Sequence, residues 1–433
     1  MAADQQITEV VDFNPPRSIK RGAVAPFVDM AALPENQRDI AYVSEREFSG
    51  GGSRFQNGDT LFARITPCLE NGKTAKVNSL PSGSIAHGST EFIVMAAKAP
   101  EYDEDYVYYL ARHPDFRAFA EARMEGTSGR QRVSWQALSG FSFPFPPSDQ
   151  RRVIGSILRR IDDKIHLNRR INQTLEAMAQ AIFKSWFVDF DPVKAKITAI
   201  EQGQDPLRAA MRAISGKTDA ELDQMPCEHH DQLAATAALF PDAMDESELG
   251  EIPKGWEVSK VESLLSRLSA KVRYTRELVL EYGQIPVFEQ GASILLGYHN
   301  GAAYYQASSE NPMFIFGDHT CVTRLSCQPF DISQNVIALQ GRNRATAWVY
   351  YAVKEKQKFQ EYRRHWMELI SKDVVVATAD ICLDFSKKIT NIHLYIEANE
   401  RQIQSLRENR DTLLPKLLSG ELAVETLVNE VTQ

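Results

Sequence analysis

Apolar residues recur at alternating intervals of four and three in two long segments of the chain. The first segment covers residues 154–186, and the second repeats the same spacing 231 residues later. This alternation over more than four heptads is the seam of a coiled coil. Each segment predicts a helix of roughly 30–35 residues, about 45–50 Å at 1.5 Å per residue. The predicted seam positions are Ile154, Leu158, Ile161, Ile165, Asn168, Leu175 and Ile182 in the first helix, and Ile392, Ile396, Asn399, Ile403 and Leu406 in the second.

Asparagine occupies the same seam position in both helices, as Asn168 and Asn399. A seam asparagine lowers stability but fixes the register of a helix pair. Two interpretations are open, since the two side chains either meet across the pair or face solvent on a loosely packed seam. We expect Pro192 to end the first helix, and Pro415 to end or kink the second near its last turn.

A globular module precedes each long helix. In the first module, residues 58–65 and 90–95 read as strands and are followed by a helix at about 104–124. The second module repeats this order, with strands at 285–290, 313–316 and 335–339 and a helix at about 344–369. Three short matches align the modules, namely 57–59 with 316–318, 89–95 with 333–339, and 107–109 with 349–351. The chain therefore predicts an internal repeat.

The resulting order is module, helix, connector, module, helix. The predicted ranges are 1–147, 148–196, 197–255, 256–381 and 382–433. A Pro-rich hinge at 144–147 closes the first module. The connector is expected to be part helical, at 206–215 and 231–239.

Composition is that of a soluble globular protein, with 433 residues, 43% apolar and 24% charged. The sequence has no run of about 18 apolar residues, so no membrane span is expected. The N-terminal residues do not resemble a secretory signal. Five cysteines without a CxxC pair suggest free thiols in a reducing cytoplasm.

The net charge of −8 at first argues against a polyanionic partner. Residues 197–255 hold four basic and twelve acidic residues, however, and so account for the whole excess. The rest of the chain is neutral on balance. The net charge of the whole chain is therefore only weak evidence against DNA binding.

Enzyme motifs are incomplete. The run Asn14-Pro-Pro-Arg17 resembles the NPP-aromatic motif of amino-methyltransferases, but Arg17 stands where an aromatic ring would stack on a flipped base. Asp162-Asp-Lys164 has the spacing of a nuclease site, yet we expect an ordinary salt-bridged outer helix face there. Cys227-Glu-His-His230 has no second ligand cluster nearby, and neither a complete P-loop nor GxSxG occurs. A binding and assembly protein is favoured over an enzyme.

Long motifs then resemble the conserved regions of type I restriction–modification specificity subunits. They are Phe-Pro-Phe-Pro-Pro-Ser-Asp-Gln at 143–150, Ile-Asp-Asp-Lys-Ile at 161–165, Leu-Asn-Arg-Arg-Ile-Asn at 167–172, Ser-Trp-Phe-Val-Asp-Phe-Asp-Pro at 185–192 within a match over 174–192, Asn-Glu-Arg-Gln-Ile at 399–403 and Arg-Asp-Thr-Leu-Leu-Pro-Lys-Leu-Leu-Ser-Gly-Glu-Leu at 410–422. Residues 58–74 resemble one class of their target recognition domains. The junction at 374–387 departs from the family by lacking Pro-Pro-x-x-Gln.

The resemblance implies an α+β fold, with two target recognition domains separated by two long helices that form an antiparallel coiled coil with a pseudo-twofold repeat. It implies a non-catalytic subunit that reads a bipartite, asymmetric double-stranded DNA target. Two modification (methyltransferase) subunits would dock on the helical regions, joined by restriction subunits where the system has them. No cofactor is expected in this chain, and S-adenosylmethionine is expected on the modification subunits. No membrane partner is implied.

DNA contacts are expected from a glycine-hinged loop at 126–132 and from basic residues elsewhere, because Arg suits guanine, Gln suits adenine and hydroxyls suit phosphate. The alternative for each is an ordinary solvated side chain. The candidates are Arg64, Lys73, Lys76, Ser128, Arg130, Gln131 and Arg132 in the first module, and Lys271, Arg273, Arg276, Tyr298, Arg324, Arg342 and Arg344 in the second.

Large apolar residues at the end of each helix form a candidate partner interface, because aromatic residues anchor interfaces. They are Trp186, Phe187, Phe190, Leu413, Leu414 and Leu417. The alternative for the aromatic residues is packing beneath the adjacent module. For the whole chain, the rival to a specificity subunit is a structural coiled-coil scaffold without DNA readout, and a methyltransferase in its own right is a third.

Overall fold

A computed structural model describes residues 4–127, 129–269, 272–291, 293–354, 356–361 and 363–422. The chain divides into two compact units. Unit 1 comprises Met1–Asn168 and Gln402–Gln433, and unit 2 comprises Arg169–Arg401. Each unit thus holds one module and a stretch of both long helices.

The elements follow in chain order. Residues 4–147 form β1 (Gln5–Gln6), β2 (Val11–Phe13), β3 (Val24–Val28), β4 (Ser44–Glu47), β5 (Ser53–Phe55), β6 (Thr60–Ala63), β7 (Thr74–Lys76), β8 (Ala86–Gly88), β9 (Phe92–Ala97), α1 (Pro100–Arg112), α2 (Pro114–Glu121), α3 (Trp135–Leu138) and β10 (Ser142–Phe143). Then come α4 (Ser148–Phe187), α5 (Asp191–Glu201), α6 (Pro206–Ser215), α7 (Asp219–Asp223), α8 (Cys227–Ala238), β11 (Met244–Ser247) and β12 (Gly250–Pro253). The remainder forms β13 (Glu257–Lys260), α9 (Val261–Leu264), β14 (Leu265–Leu268), β15 (Ile285–Phe288), β16 (Leu295–His299), β17 (Met313–Gly317), β18 (Thr323–Ser326), β19 (Asp331–Ile332), β20 (Val336–Gly341), α10 (Thr346–Val353), α11 (Trp366–Ile370), β21 (Asp373–Val376) and α12 (Ala379–Leu418).

The two modules repeat the same three sheets, although the second sheet has four strands in unit 1 and three in the described part of unit 2. The antiparallel sheet β2-β9-β6-β7 of unit 1 corresponds to β14-β20-β17-β18 of unit 2. A second sheet contains the parallel pair β3–β8 in unit 1 and β15–β19 in unit 2. A two-stranded sheet closes each module, β1–β10 in one and β13–β21 in the other. The internal repeat predicted from sequence is therefore confirmed.

Two of the three short sequence matches fall on equivalent elements. Residues 89–95 and 333–339 lead into β9 and β20, and the Val-Tyr-Tyr runs lie on α1 and α10 with their side chains buried. The match of 57–59 with 316–318 is wrong. Gly58 precedes β6, whereas Gly317 ends β17, the equivalent strand, because a Gly-Asp turn suits either end of a strand.

The long helices α4 and α12 contain 40 residues each, more than predicted. Helix α4 ends at Phe187, and Phe190 adopts a left-handed conformation with φ 58°. Pro192 therefore does not stop α4 but lies in the first turn of α5, where its missing N–H is harmless. Pro415 lies inside α12, which continues to Leu418.

Within each unit, the two long helices run antiparallel. In unit 1, Asp162 pairs with Arg410 and Asn168 bonds Gln402 at 2.7 Å, while Ile154 and Leu158 enter the core. In unit 2, Asn399 donates to the Asn172 side chain at 2.8 Å. Each seam asparagine thus bonds a residue of the opposite helix, so the solvent-facing interpretation is wrong. The expected meeting of Asn168 with Asn399 is replaced by the pairs Asn168–Gln402 and Asn399–Asn172. The remaining seam residues are buried or half-buried, namely Ile161, Ile165, Leu175, Ile182, Ile392, Ile396, Ile403 and Leu406.

The acidic connector contains the end of α5, the helices α6–α8 and the hairpin β11–β12, so the predicted boundary between residues 196 and 197 falls inside α5. Its part-helical character is confirmed, and Ala210, Met211, Leu222 and Ala237 form a small core. In the part of the chain that the structure describes, no group of three metal-binding side chains occurs, and no helix is long and apolar enough to cross a membrane.

Candidate nucleic-acid interface

The predicted loop of the first module is held at both ends. Glu125 and Arg132 exchange backbone hydrogen bonds of 2.9 Å, and positive φ angles at Gly126 and Gly129 allow the chain to reverse between them. The Gln131 carbonyl accepts the Thr66 N–H at 3.0 Å, which anchors the loop beside β6. Arg130 is exposed and Gln131 half-exposed, so both can reach a ligand. Ser128 lies outside the described residues.

A carboxylate missed by sequence reasoning organises the arginines beside this loop. Glu91 accepts from Arg132 Nε at 3.0 Å and from Arg132 Nη2 at 2.8 Å. The same carboxylate lies 3.9 Å from Arg64 Nε, which is buried and makes no hydrogen bond within the described structure. Arg64 and Arg132 therefore share one negative charge. Glu91 directly precedes strand β9 and belongs to no distinguishing sequence motif.

The two lysines predicted in the first module lie in different environments. Lys76 is buried in β7 and forms ion pairs with Asp105 and, at 2.9 Å, with Glu104. The predicted DNA contact of Lys76 is therefore wrong, because its ammonium group is already paired with these two carboxylates. Lys73 is half-buried and donates to the Met30 carbonyl at 3.2 Å.

Three arginines predicted as DNA contacts in the second module are engaged in its own fold. Arg324 forms a bidentate ion pair with Glu400 and lies over the Phe288 ring. Arg273 donates to the Val336 carbonyl at 2.9 Å, and Arg344 donates to the Ala377 carbonyl at 2.9 Å. The predicted DNA contact of Arg324 is therefore wrong, since this side chain stabilises the fold. Arg273 and Arg344 support loops. Arg276 and Arg342 are exposed, Tyr298 is half-buried, and Lys271 lies outside the described residues.

The residues predicted to contact a partner lie in hydrophobic cores instead. Trp186, Phe187 and Phe190 are at most 9% exposed and pack in unit 2 against Phe385, Trp348 and Trp256. In unit 1, Leu414 and Leu417 are buried and Leu413 packs against the same core. The packing alternative is therefore correct for the aromatic residues, since buried rings have no surface left for another subunit.

Other apolar side chains on the long helices are exposed. In unit 2 they are Ile171 and Met178 on α4, which are 38% and 50% exposed, and Leu383, Leu394 and Tyr395 on α12. Ile171 and Met178 are seven residues apart and so share one face of α4. Leu167, in unit 1, is also exposed. These apolar residues lie outside the seam positions, and this spacing is the sequence signal by which an exposed apolar face could have been predicted.

Each unit contains a buried polar cluster where its module meets the long helices. In unit 1, Asp162 accepts from Arg410 at 2.6 Å and from the Tyr109 hydroxyl at 2.7 Å. Burial, and then the nearby Asp162 carboxylate, raise the pKa of Tyr109 well above its usual range. Asp162 was expected on an outer helix face and is in fact 5% exposed. The exposed neighbour Asp163 pairs with Arg38 at 2.8 Å.

In unit 2, Glu176 accepts from Lys354 and, at 3.1 Å, from the Tyr351 hydroxyl. That hydroxyl also lies 2.9 Å from His393 Nε2. Burial lowers the pKa of His393 to about 4, although Glu176 opposes the shift. The imidazole is therefore neutral at pH 7.

Comparisons with known proteins agree with this architecture. Residues 25–177 match the family described as the type I restriction modification DNA specificity domain. The chain is 28% identical to the HindI specificity subunit of Haemophilus influenzae, over 85% of this chain and 87% of that one. It is 23% identical to the MjaIX specificity subunit of Methanocaldococcus jannaschii, over 75% and 70%.

The fold is also similar to a solved structure. The S subunit of a type I restriction–modification system from M. genitalium covers 96% of both chains, with a TM-score of 0.50 and 14% identity. The resemblance to type I specificity subunits is confirmed.

The polar clusters of this specificity-subunit fold occupy equivalent positions in the two repeats. Tyr109 and Tyr351 end the matched Val-Tyr-Tyr runs, and Asp162 and His393 are separated by the 231-residue offset of the helices. Both tyrosines donate to a paired carboxylate of α4, Asp162 in one repeat and Glu176 in the other, and Tyr351 also contacts the neutral His393. The repeat therefore keeps the tyrosine and a carboxylate acceptor for its hydroxyl.

Proposed function

We propose that this chain is the DNA sequence-specificity subunit of a type I restriction–modification complex, in which each module reads one half of a bipartite, asymmetric target. The observation that carries the proposal is the repetition of three sheets and a helix in one chain, with different side chains on the loops. Equivalent frames suit equivalent positions on DNA, and different loops suit different sequences.

In the first module, we assign base contact to Arg130 and Gln131 and a supporting position to Arg132 and Arg64. Exposed Arg and Gln side chains match guanine and adenine edges in the major groove. In the second module, the exposed Arg276 and Arg342 are the stronger candidates, together with Tyr298. Lys73 remains a candidate for a backbone contact.

Two modification subunits would dock on the long helices, with S-adenosylmethionine bound to those subunits and not to this chain. The exposed residues Ile171, Met178, Leu394 and Tyr395 support this proposal, because apolar side chains on solvent-facing helices suit a partner helix. Restriction subunits would join where the system has them. The chain supplies specificity and no catalytic group. Since its charge outside the connector is balanced, tight DNA binding should need the charge of its partners.

The test is an exchange of modules followed by methylome sequencing. Residues 1–147 are replaced by the corresponding module of a related subunit, and the complex is expressed with its modification subunits. We expect one half of the methylated motif to change while the other half and the gap stay as they were. A change in both halves would contradict the assignment of one half to each module. Methylation without any sequence preference would instead favour the scaffold alternative.

A further inference from the structure

A cleft of about 490 Å³ opens on the first module, apart from the loop at 126–132. Its walls come from the turn at 14–17, from the start of β5, from the residue after β6, and from β9. The residues lining it are Asn14, Pro15, Pro16, Arg17, Gly52, Ser53, Arg54, Arg64, Thr90, Phe92 and Val94. Three arginines thus converge on one concave surface.

The turn that forms one wall is rigidly attached. Asn14 adopts a left-handed conformation with φ 49°, which asparagine tolerates better than most residues. Its N–H donates to the Val94 carbonyl at 2.8 Å, and its side-chain oxygen accepts the Val94 N–H at 2.9 Å. Arg54 Nη1 donates to the Arg17 carbonyl at 2.6 Å, so the turn is also attached to β5. The cleft is therefore formed before any ligand arrives.

Positive charge in the cleft is incompletely balanced. Asp59 is committed to Arg17, with which it makes a bidentate pair, and to the Gln56 N–H. Glu91 directs both oxygens to Arg132 and lies 3.9 Å from Arg64. Arg54 has no carboxylate within 4.0 Å in the described part of the chain. Two guanidinium groups on different walls are thus available to one anion.

We propose that this cleft binds a backbone phosphate of the DNA, through Arg54 and Arg64. The proposal rests on the DNA-reading function proposed above and adds a positioning contact to it. A base edge lies recessed in a groove and is reached by side chains that project from the protein, as Arg130 does. The sugar–phosphate backbone projects from the duplex and fits a concave surface. Planar guanidinium groups match phosphate oxygens in pairs.

Loss of a phosphate contact weakens binding to all DNA sequences equally. It also makes the slope of log affinity against log salt concentration smaller by the amount expected for about one phosphate contact. We therefore prepare the complex with modification subunits and measure its affinity at several salt concentrations. The probes are a duplex carrying the motif found by methylome sequencing and a scrambled duplex of equal length. For Arg54→Gln and Arg64→Gln, we expect about tenfold weaker binding to both probes and a salt slope smaller by about 0.9.

Arg54→Lys keeps the charge and should keep the salt slope. Lys217→Gln removes a charge from the exposed connector and is the matched control, which should leave both quantities unchanged. Within the described part of the chain, Arg64→Gln removes from the side chain only a 3.9 Å ion pair, so it remains informative if Arg54→Gln folds poorly.

Unchanged affinity and salt slope in Arg64→Gln would overturn the proposal. So would a loss confined to the motif duplex, or an altered methylation motif, because either result means base readout. A wild-type complex that binds both duplexes alike would refute the proposed function itself, whereas sequence-specific wild-type binding with indifferent variants refutes only the phosphate site.

Discussion

A buried ion pair joins α4 to α12 inside unit 1, and its loss should be costly. The side chains of Arg410 and Asp162 are 2% and 5% exposed, and their closest atoms are 2.6 Å apart. In Arg410→Met, the Asp162 carboxylate stays buried with the Tyr109 hydroxyl but without a countercharge. Removing one member of a buried pair typically costs about 3–5 kcal/mol. Because whole domains are stable by only about 5–15 kcal/mol, unit 1 should become marginal.

Hydrogen exchange followed by mass spectrometry measures this effect, because it reports opening in each unit separately. Arg410→Met should raise exchange in α1 and in the paired stretches of α4 and α12, while unit 2 stays protected. Asp162→Leu combined with Arg410→Met should recover most of the loss, since apolar residues often replace a buried pair without penalty. Arg160→Met is the matched control, because Arg160 is exposed on α4 and should change stability by less than about 0.5 kcal/mol.

A loss below about 1 kcal/mol in Arg410→Met would contradict this prediction, because the pair would then contribute no more than a surface one. So would a double variant that is no more stable than the single one. That result would assign the loss to packing rather than to the unpaired charge.

Three further predictions concern other parts of the molecule. In the folded state, His393 stays neutral down to a pKa of about 4, whereas the unfolded chain binds the proton near pH 6.5. The stability of unit 2 should therefore fall by about 3 kcal/mol as the pH drops from about 6.5 to about 4. Denaturant unfolding at each pH should show that the free energy of unfolding depends less steeply on pH in His393→Gln than in the wild type. Equal pH dependences would contradict the prediction. Ile171→Glu with Met178→Glu should abolish co-purification of modification subunits without lowering the melting temperature, and full retention would exclude this face. Arg324→Met should destabilise unit 2 by about 1–2 kcal/mol, because its partner Glu400 is partly exposed. A specific loss of DNA binding in a stably folded variant would show that Arg324 contacts DNA.

The elements with a strong local period were predictable from the chain. The long helices, the strands around 60–63, 313–317 and 336–341, and the helix α6 lie where the pattern places them. The helix expected at 344–369 instead divides into α10 and α11. The loop at 126–132 was also found, because its glycines and polar residues are adjacent in sequence.

Partners distant in sequence were not predictable. Lys76 meets Asp105 across 29 residues, and Arg324 meets Glu400 across 76, so both resembled free surface cations. Local sequence does not distinguish the buried rings of Trp186 and Phe187 from aromatic residues that anchor an interface. The cleft arginines Arg17, Arg54 and Arg64 belong to separate segments that only the sheets bring together.

The repeat, the helix seam and the resemblance to specificity subunits could be predicted from the chain alone, because these depend on spacing and on contiguous motifs. The folded chain was needed to show which charges are free and which apolar faces are exposed. Periodicity identifies the face that a helix buries but not the chain that covers it, and charge counts do not show pairing. Those properties depend on contacts between residues far apart in the chain, which exist only once the sheets and helices have packed.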